Sequence, residues 1–206
     1  MPSRDLALQH SKTEEDTHSP LNDITQKLDC QHPCFTMALT SSRALKKDGM
    51  QFGFSIVGVV FLAMLFVPNI IWGRNQPPGY AEISKNENRI LLALERIGEV
   101  AATCTAVIFV CPQGFSFPWL LWLIAAFALM ILYEIAWMRY FNGGGELADM
   151  YRPLGPIPIP LASLPVVAIF LLGVWYQSPL TLIAAIVLGI GHIGIHLGHV
   201  RELSGR

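Results

Sequence analysis

Three histidines near the end of the chain are placed to act together. His192, His196 and His199 follow an i, i+4, i+7 spacing inside the apolar run Leu188-Gly-Ile-Gly-His-Ile-Gly-Ile-His-Leu-Gly-His199. On a helix that spacing lines one face. A second polar stripe lies earlier, where Asn88, Glu95, Glu99 and Thr103 share a face and Arg96 sits beside them. Glu134 and Asn69 each stand inside further apolar runs. Histidine and carboxylate together support two kinds of chemistry. They ligate zinc or iron, or they pass protons near neutral pH.

These residues sit in apolar surroundings. Apolar residues form 52% of the 206, charged ones only 14%, and the mean hydropathy is +0.45, well outside the range of a soluble domain. Residues 153–191 and 50–73 contain no Asp, Glu, Lys or Arg. Uncharged runs beyond about 18 residues read as bilayer spans. A charge at membrane depth costs on the order of 2.5–3.5 kcal/mol, so each must face protein or a wet cavity.

The expected architecture is an all-α polytopic membrane bundle with five transmembrane helices. The spans are placed at residues 52–72, 88–111, 117–141, 159–176 and 179–200. Pro68 falls in the last turns of the first and predicts a kink. The second contains Glu95, Arg96 and Glu99, and an amphipathic surface helix is its rival reading. In the third, Trp119 and Trp122 at one end and Tyr133, Trp137, Tyr140 and Phe141 at the other resemble two aromatic belts. Pro77-Pro-Gly79 predicts a tight turn after the first span, and residues 146–151 a short interfacial helix. Gln177-Ser-Pro179 makes the last two spans an antiparallel hairpin.

Residues 1–49 differ in composition and are expected to be a disordered tail. Met50, just before the first span, is a candidate alternative start, which would make the tail non-native. The first span is too long for a signal-peptide core and shows no small-residue cleavage site. Within the tail, Cys30-Gln-His-Pro-Cys34 is at most a partial metal clip. Cys104 and Cys111 lie about 10 Å apart on one helix, too far for a disulfide.

Basic residues set the orientation. Arg74, Lys85 and Arg89, then Arg139 and Arg152, then Arg201 and Arg206, occupy three segments that five spans bring to one side. That side is expected to be cytoplasmic, with the N-terminus outside; Arg43, Lys46 and Lys47 oppose the assignment. Glu95, Glu99, Glu134, Asn69 and the three histidines then fall in the same half of the membrane. Gly191, Gly194 and Gly198 beside the histidines predict close approach of another helix, bringing carboxylates to the imidazoles.

Three readings of this set stay open. In the first it is structural, with Arg96 paired to Glu95 or Glu99 and the histidines bonded to Glu134, hydroxyls or backbone. The second is a zinc or iron site with His192, His196, His199, Glu95, Glu99 and Glu134 as candidate ligands, haem being a sub-case. Its likeness to four-helix di-iron proteins is loose, because those use Glu-x-x-His pairs and this chain has Glu-x-x-x-Glu and histidines alone. The third is a proton- or solute-handling path, as in a small proton-coupled transporter. Arg96 would hold an anion or neutralise a glutamate, with Asn69 nearby. No nucleophile elbow, phosphate loop, dinucleotide fingerprint or complete zinc motif is present, and no basic patch suggests nucleic acid. Partners beyond the lipid bilayer, and any oligomeric state, are not specified.

Five runs carry a resemblance: Pro68-Asn-Ile-Ile-Trp72, Asn86-Glu-Asn88, Leu94-Glu-Arg-Ile-Gly-Glu99, Tyr133-Glu-Ile-Ala-Trp-Met-Arg-Tyr-Phe141 and Gly191-His-Ile-Gly-Ile-His-Leu-Gly-His199. Across residues 50–202 the chain resembles a group of small bacterial multi-span membrane proteins without an assigned activity. The resemblance implies a bacterial inner-membrane location and no substrate. A membrane assembly or partner subunit, with the polar cluster serving only helix packing, is the non-enzymatic alternative.

Overall fold

The computed structural model describes residues 50–205. The expected tail and the Cys30–Cys34 clip lie outside them. The described chain is mostly helical. A two-residue strand β1 (Gln51–Phe52) leads to α1 (Ile56–Arg74), a one-turn helix α2 (Tyr80–Ile83) and a 3-10 turn (Ser84–Asn86). Helix α3 (Arg89–Ile108) and strand β2 (Phe109–Val110) come next, then α4 (Leu120–Asn142) and a one-turn α5 (Leu147–Met150). Helices α6 (Pro160–Tyr176) and α7 (Pro179–Ser204) end it.

Among the described residues, α1, α4 and α7 are long and apolar enough to cross a membrane. Helix α6 is apolar but has 17 residues. Helix α3 has the length, but Glu95, Arg96 and Glu99 interrupt its apolar character. The expectation of five spans is therefore met in full by three helices.

Local chemistry explains the boundaries. Ser55, Asn88 and Ser178 cap α1, α3 and α7, each accepting a backbone N–H of the first turn. Proline stands in the first turn of α6 and α7, where its missing N–H costs nothing. Gly79 turns the chain into α2 at φ +86°, a conformation that favours glycine. Helix α1 continues through Pro68, and one residue on, Asn69 Nδ2 donates to the Leu65 carbonyl at 2.7 Å.

The second expected span is shorter than its apolar run. Phe109 and Val110 leave the helix and pair with Phe52 and Gln51 in an antiparallel ribbon. Short apolar runs do not distinguish strand from helix, and β-branched and aromatic residues favour the ribbon once a partner lies alongside.

Beside the ribbon the bundle is tightly clasped. Tyr176, fully buried, shares a 2.7 Å hydrogen bond with Ser55 Oγ and donates to the Ala106 carbonyl at 2.9 Å. Gly58 lies so close to the Ala106 carbonyl that a Cβ there would collide with it. One phenol thus joins the start of α1, the end of α3 and the end of α6. Tyr176→Phe leaves the Ala106 carbonyl and Ser55 hydroxyl short of a buried partner. It should lower stability by about 1–3 kcal/mol, read from denaturant titration of the detergent-solubilised chain.

Candidate functional site

The site begins at a seam between α3 and α7. A Cβ on Gly191 would strike the backbone of Leu91 and Glu95, and one on Gly98 would strike the backbone of Leu188. Gly194 faces the Leu91 side chain, whereas Gly198 has open space beside it. Only residues without a side chain allow backbones this near. The approach brings His192, next to Gly191, against Glu95, with Nδ1 and Oε1 2.6 Å apart. Glu95 lies about 9 Å along α3 from its first residue.

The imidazoles continue from this pair as a row. His192 and His196 have ring centroids 4.5 Å apart, and His196 and His199 have theirs 5.8 Å apart. His196 is 7% exposed, and its Nδ1 has no hydrogen-bond partner. His199 Nδ1 shares a 2.8 Å hydrogen bond with the Tyr151 hydroxyl. Glu87 Oε1 stands 3.2 Å from His199 Nε2, within ion-pair range but without hydrogen-bond alignment. The ring of Tyr80 meets His199 edge-on at 5.8 Å.

A cavity of about 240 Å³ runs beside the row. Glu87, Glu95, Arg96 and Glu99 line one wall, and His192 and His196 another. Asn69 and Trp72 of α1 and Tyr133 and Trp137 of α4 close the far side, over an apolar floor from α6. Asn69 Nδ2 donates to the Tyr133 hydroxyl at 2.7 Å. Arg96 binds Glu99 at 3.0 Å, with side-chain exposures of 68% and 39%, which puts this ion pair at the mouth.

Two ionisable side chains of the α1–α3 connection reach the cavity. Burial foremost, and then the charge of Glu95, raises the Glu87 carboxyl above its ordinary value, with Arg96 opposing. Burial likewise pushes the Tyr80 phenol up to about 12, with Glu87 and Glu95 adding to the effect. At the far end of the row, burial raises the Tyr151 phenol. Both phenols therefore stay neutral at physiological pH.

The structure brings part of the expected set to the cavity: Glu95, Glu99, Arg96, Asn69, His192 and His196 line it. Among the described residues, no group of three or more His, Cys, Asp or Glu side chains is placed to hold a metal ion. Glu95 is committed to His192 and Glu99 to Arg96. Glu134 does not line the cavity, and its Oε1 is buried without a hydrogen-bond partner. The cause is its position after Tyr133, which turns inward to Asn69. The next residue on a helix points about 100° away. Asn69 lines the cavity, and Cys104 and Cys111 are free thiols. Glu87, Tyr80 and Tyr151 were not among the expected residues. All three lie in connections, and the capping residue Asn88 is the only local cue that the chain beside it is held.

The fold and site define a helical protein with apolar helices of membrane length, enclosing a polar cavity at one end. Comparison with protein-family models, with curated proteins and with solved structures gives no match.

Two predictions follow from this geometry. Gly191→Ala should cost roughly 1–3 kcal/mol through backbone overpacking, while Gly198→Ala should stay within about 1 kcal/mol of the parent. Denaturant titration of both compares them directly. For Glu87 the folded-state value exceeds the unfolded one. Its contribution to stability is thus full below the ordinary 4.5 and lost as pH rises through the raised value. Thermal unfolding over that window should show this loss in the parent chain and its absence in Glu87→Gln.

Proposed function

We propose that this chain is a multi-pass membrane protein whose cavity handles protons through Glu95, His192, His196 and His199. The observation that carries this reading is the 2.6 Å contact of Glu95 with the first of three successive imidazoles. Each imidazole accepts at one nitrogen and donates at the other when neutral. A row of them beside a carboxylate suits the movement of a proton between cavity and loops. Tyr151 and Glu87 lie at its outer end.

In this reading α3 and α6 join α1, α4 and α7 as five spans of the lipid bilayer. The charged residues of α3 support it, since Glu95 and Glu99 have partners on the cavity side. Arg74, Lys85, Arg89, Arg139, Arg152 and Arg201 stand at or beyond the same ends of successive antiparallel helices. The positive-inside rule then favours a cytoplasmic cavity end and C-terminus, with the N-terminus outside. A bacterial inner membrane is the setting that the sequence resemblance suggests.

Metal ligation by the same residues has less support. Each imidazole at the ends of the row already has a partner from the chain, and Glu99 and Glu134 do not join the histidines.

NMR of isotope-labelled histidine nitrogens in lipid nanodiscs tests the proposal. In the parent chain the His192 and His196 nitrogen signals should report one shared proton, as coupled sites do. Glu95→Gln should abolish that coupling while leaving the helical circular dichroism intact. Histidine signals indifferent to the Glu95 substitution would refute proton handling by this row.

A further inference from the structure

The cavity has features that the proton row does not use. Five aromatic rings of Phe, Tyr and Trp line it, four of them in two edge-to-face pairs. Trp72 and Tyr80 have centroids 4.7 Å apart, and Tyr133 and Trp137 6.2 Å apart. Three carboxylates line it as well, against the single guanidinium of Arg96. Arg96 is held by Glu99 at the mouth. Glu87 and Glu95 are left deeper in, where the remaining basic groups are the imidazoles of α7. The phenol of Tyr80, pushed up to about 12, adds no charge of its own.

We propose that this cavity binds a small organic ammonium ion, held between the aromatic rings and the Glu95 and Glu87 carboxylates. The proposal deepens the proton-handling reading, on which it rests, by naming what shares Glu95 with the proton. Aromatic faces attract cations through their quadrupole, and the effect grows when water is excluded. Carboxylates at the same depth supply the countercharge that a buried cation requires. An anion would meet two carboxylates and only the committed Arg96. A purely apolar guest would leave the carboxylates desolvated and uncompensated. His196 lines the cavity, is nine-tenths buried and has an Nδ1 without a partner. The chain itself thus leaves a polar group unsatisfied beside the space. At about 240 Å³ the cavity suits a compact ammonium rather than a drug-sized ligand.

Glu95 faces several groups that decide how binding depends on pH. Arg96 and Glu99 flank it on α3, and Glu87 and Tyr80 reach it from the α1–α3 connection. His192, His196 and His199 face it from α7, and Tyr133 lines the cavity from α4. The cavity linings contributed by α1 and α6 contain no ionisable side chain. A proton on the histidine row neutralises Glu95 as an ammonium ion would. The two therefore compete, and affinity rises with pH.

Choline is a suitable probe, and its uncharged isostere 3,3-dimethylbutan-1-ol is the control. Calorimetry and tryptophan fluorescence of the full chain in nanodiscs should show saturable choline binding. The isostere should bind at least about tenfold more weakly, a difference typical of a desolvated cation–aromatic site. Glu95→Gln and Glu87→Gln should each weaken choline by a similar factor. Should either variant fail to fold, the comparison of choline with its isostere on the parent chain still decides. Equal affinity for the two probes, or no saturable choline binding, overturns the proposal. If coupled histidine signals persist in that case, only the ligand assignment fails. Choline binding without that coupling would instead refute the proton reading on which the proposal rests.

Discussion

The close approach of α3 and α7 governs the rest of the molecule. At Gly98–Leu188 and Gly191–Glu95 the backbones lie nearer than any side chain would permit. Glycine is a poor helix former, less favourable than alanine by about 1 kcal/mol in a helix interior. Three glycines within eight residues of α7 are therefore unfavourable for that helix taken alone. Two of them, Gly191 and Gly194, are explained by what they admit. With the helices this near, Glu95 has no neighbouring apolar wall to face and meets His192 instead. Desolvating a carboxylate at this depth is costly, and a hydrogen bond to an imidazole offsets part of that cost. A wider crossing would leave both groups buried and unpaired. The seam therefore fixes helix spacing and site chemistry together.

The two ends of the bundle are built on opposite principles. At the ribbon end, Tyr176, Ser55 and Ala106 satisfy one another, and Gly58 brings α1 against α3. The neighbouring loop at residues 111–119 carries no charge. At the other end, bulky Trp72, Tyr133 and Trp137 line a cavity. The bundle is clasped at one end and holds its cavity, with the carboxylates and histidines, at the other. That asymmetry agrees with the distribution of basic residues along the chain.

Much of the site was legible because its residues lie on regular helices. Their spacing fixes a common face, so His192, His196 and His199 were read as a row that carboxylates of the second or third span could reach. The same logic failed at Glu134. Position along a helix was read from the spacing, but it says nothing of direction around the helix axis. Tyr133 occupies the inward position that Glu134 was assigned. Glu99 points to the cavity mouth because Arg96, one turn back on its own helix, reaches it first. Glu87, Tyr80 and Tyr151 were illegible for another reason. They stand on short connections whose course depends on tertiary packing, where no periodicity exists to be read. The ribbon at residues 109–110 was hidden similarly, since its partner is more than fifty residues away.

The proposed proton and ammonium chemistries constrain each other through one carboxylate. Glu95 can be neutralised by a proton resident on the His192 side or by an ammonium ion on the aromatic side. Occupancy of one lowers the affinity for the other, and by linkage the reduction is the same in both directions. The His196 position makes this coupling more than local, because its ring touches that of His192 on one side and approaches His199 on the other. A proton displaced from the His192–Glu95 bond has an adjacent acceptor within the chain. The row ends at Tyr151 and Glu87, which belong to connections rather than to the seam. Ligand exchange at the cavity would thus be felt in the segments before α3 and after α5. This relation needs no movement of the helices, since it rests on which of two cations balances a single buried charge.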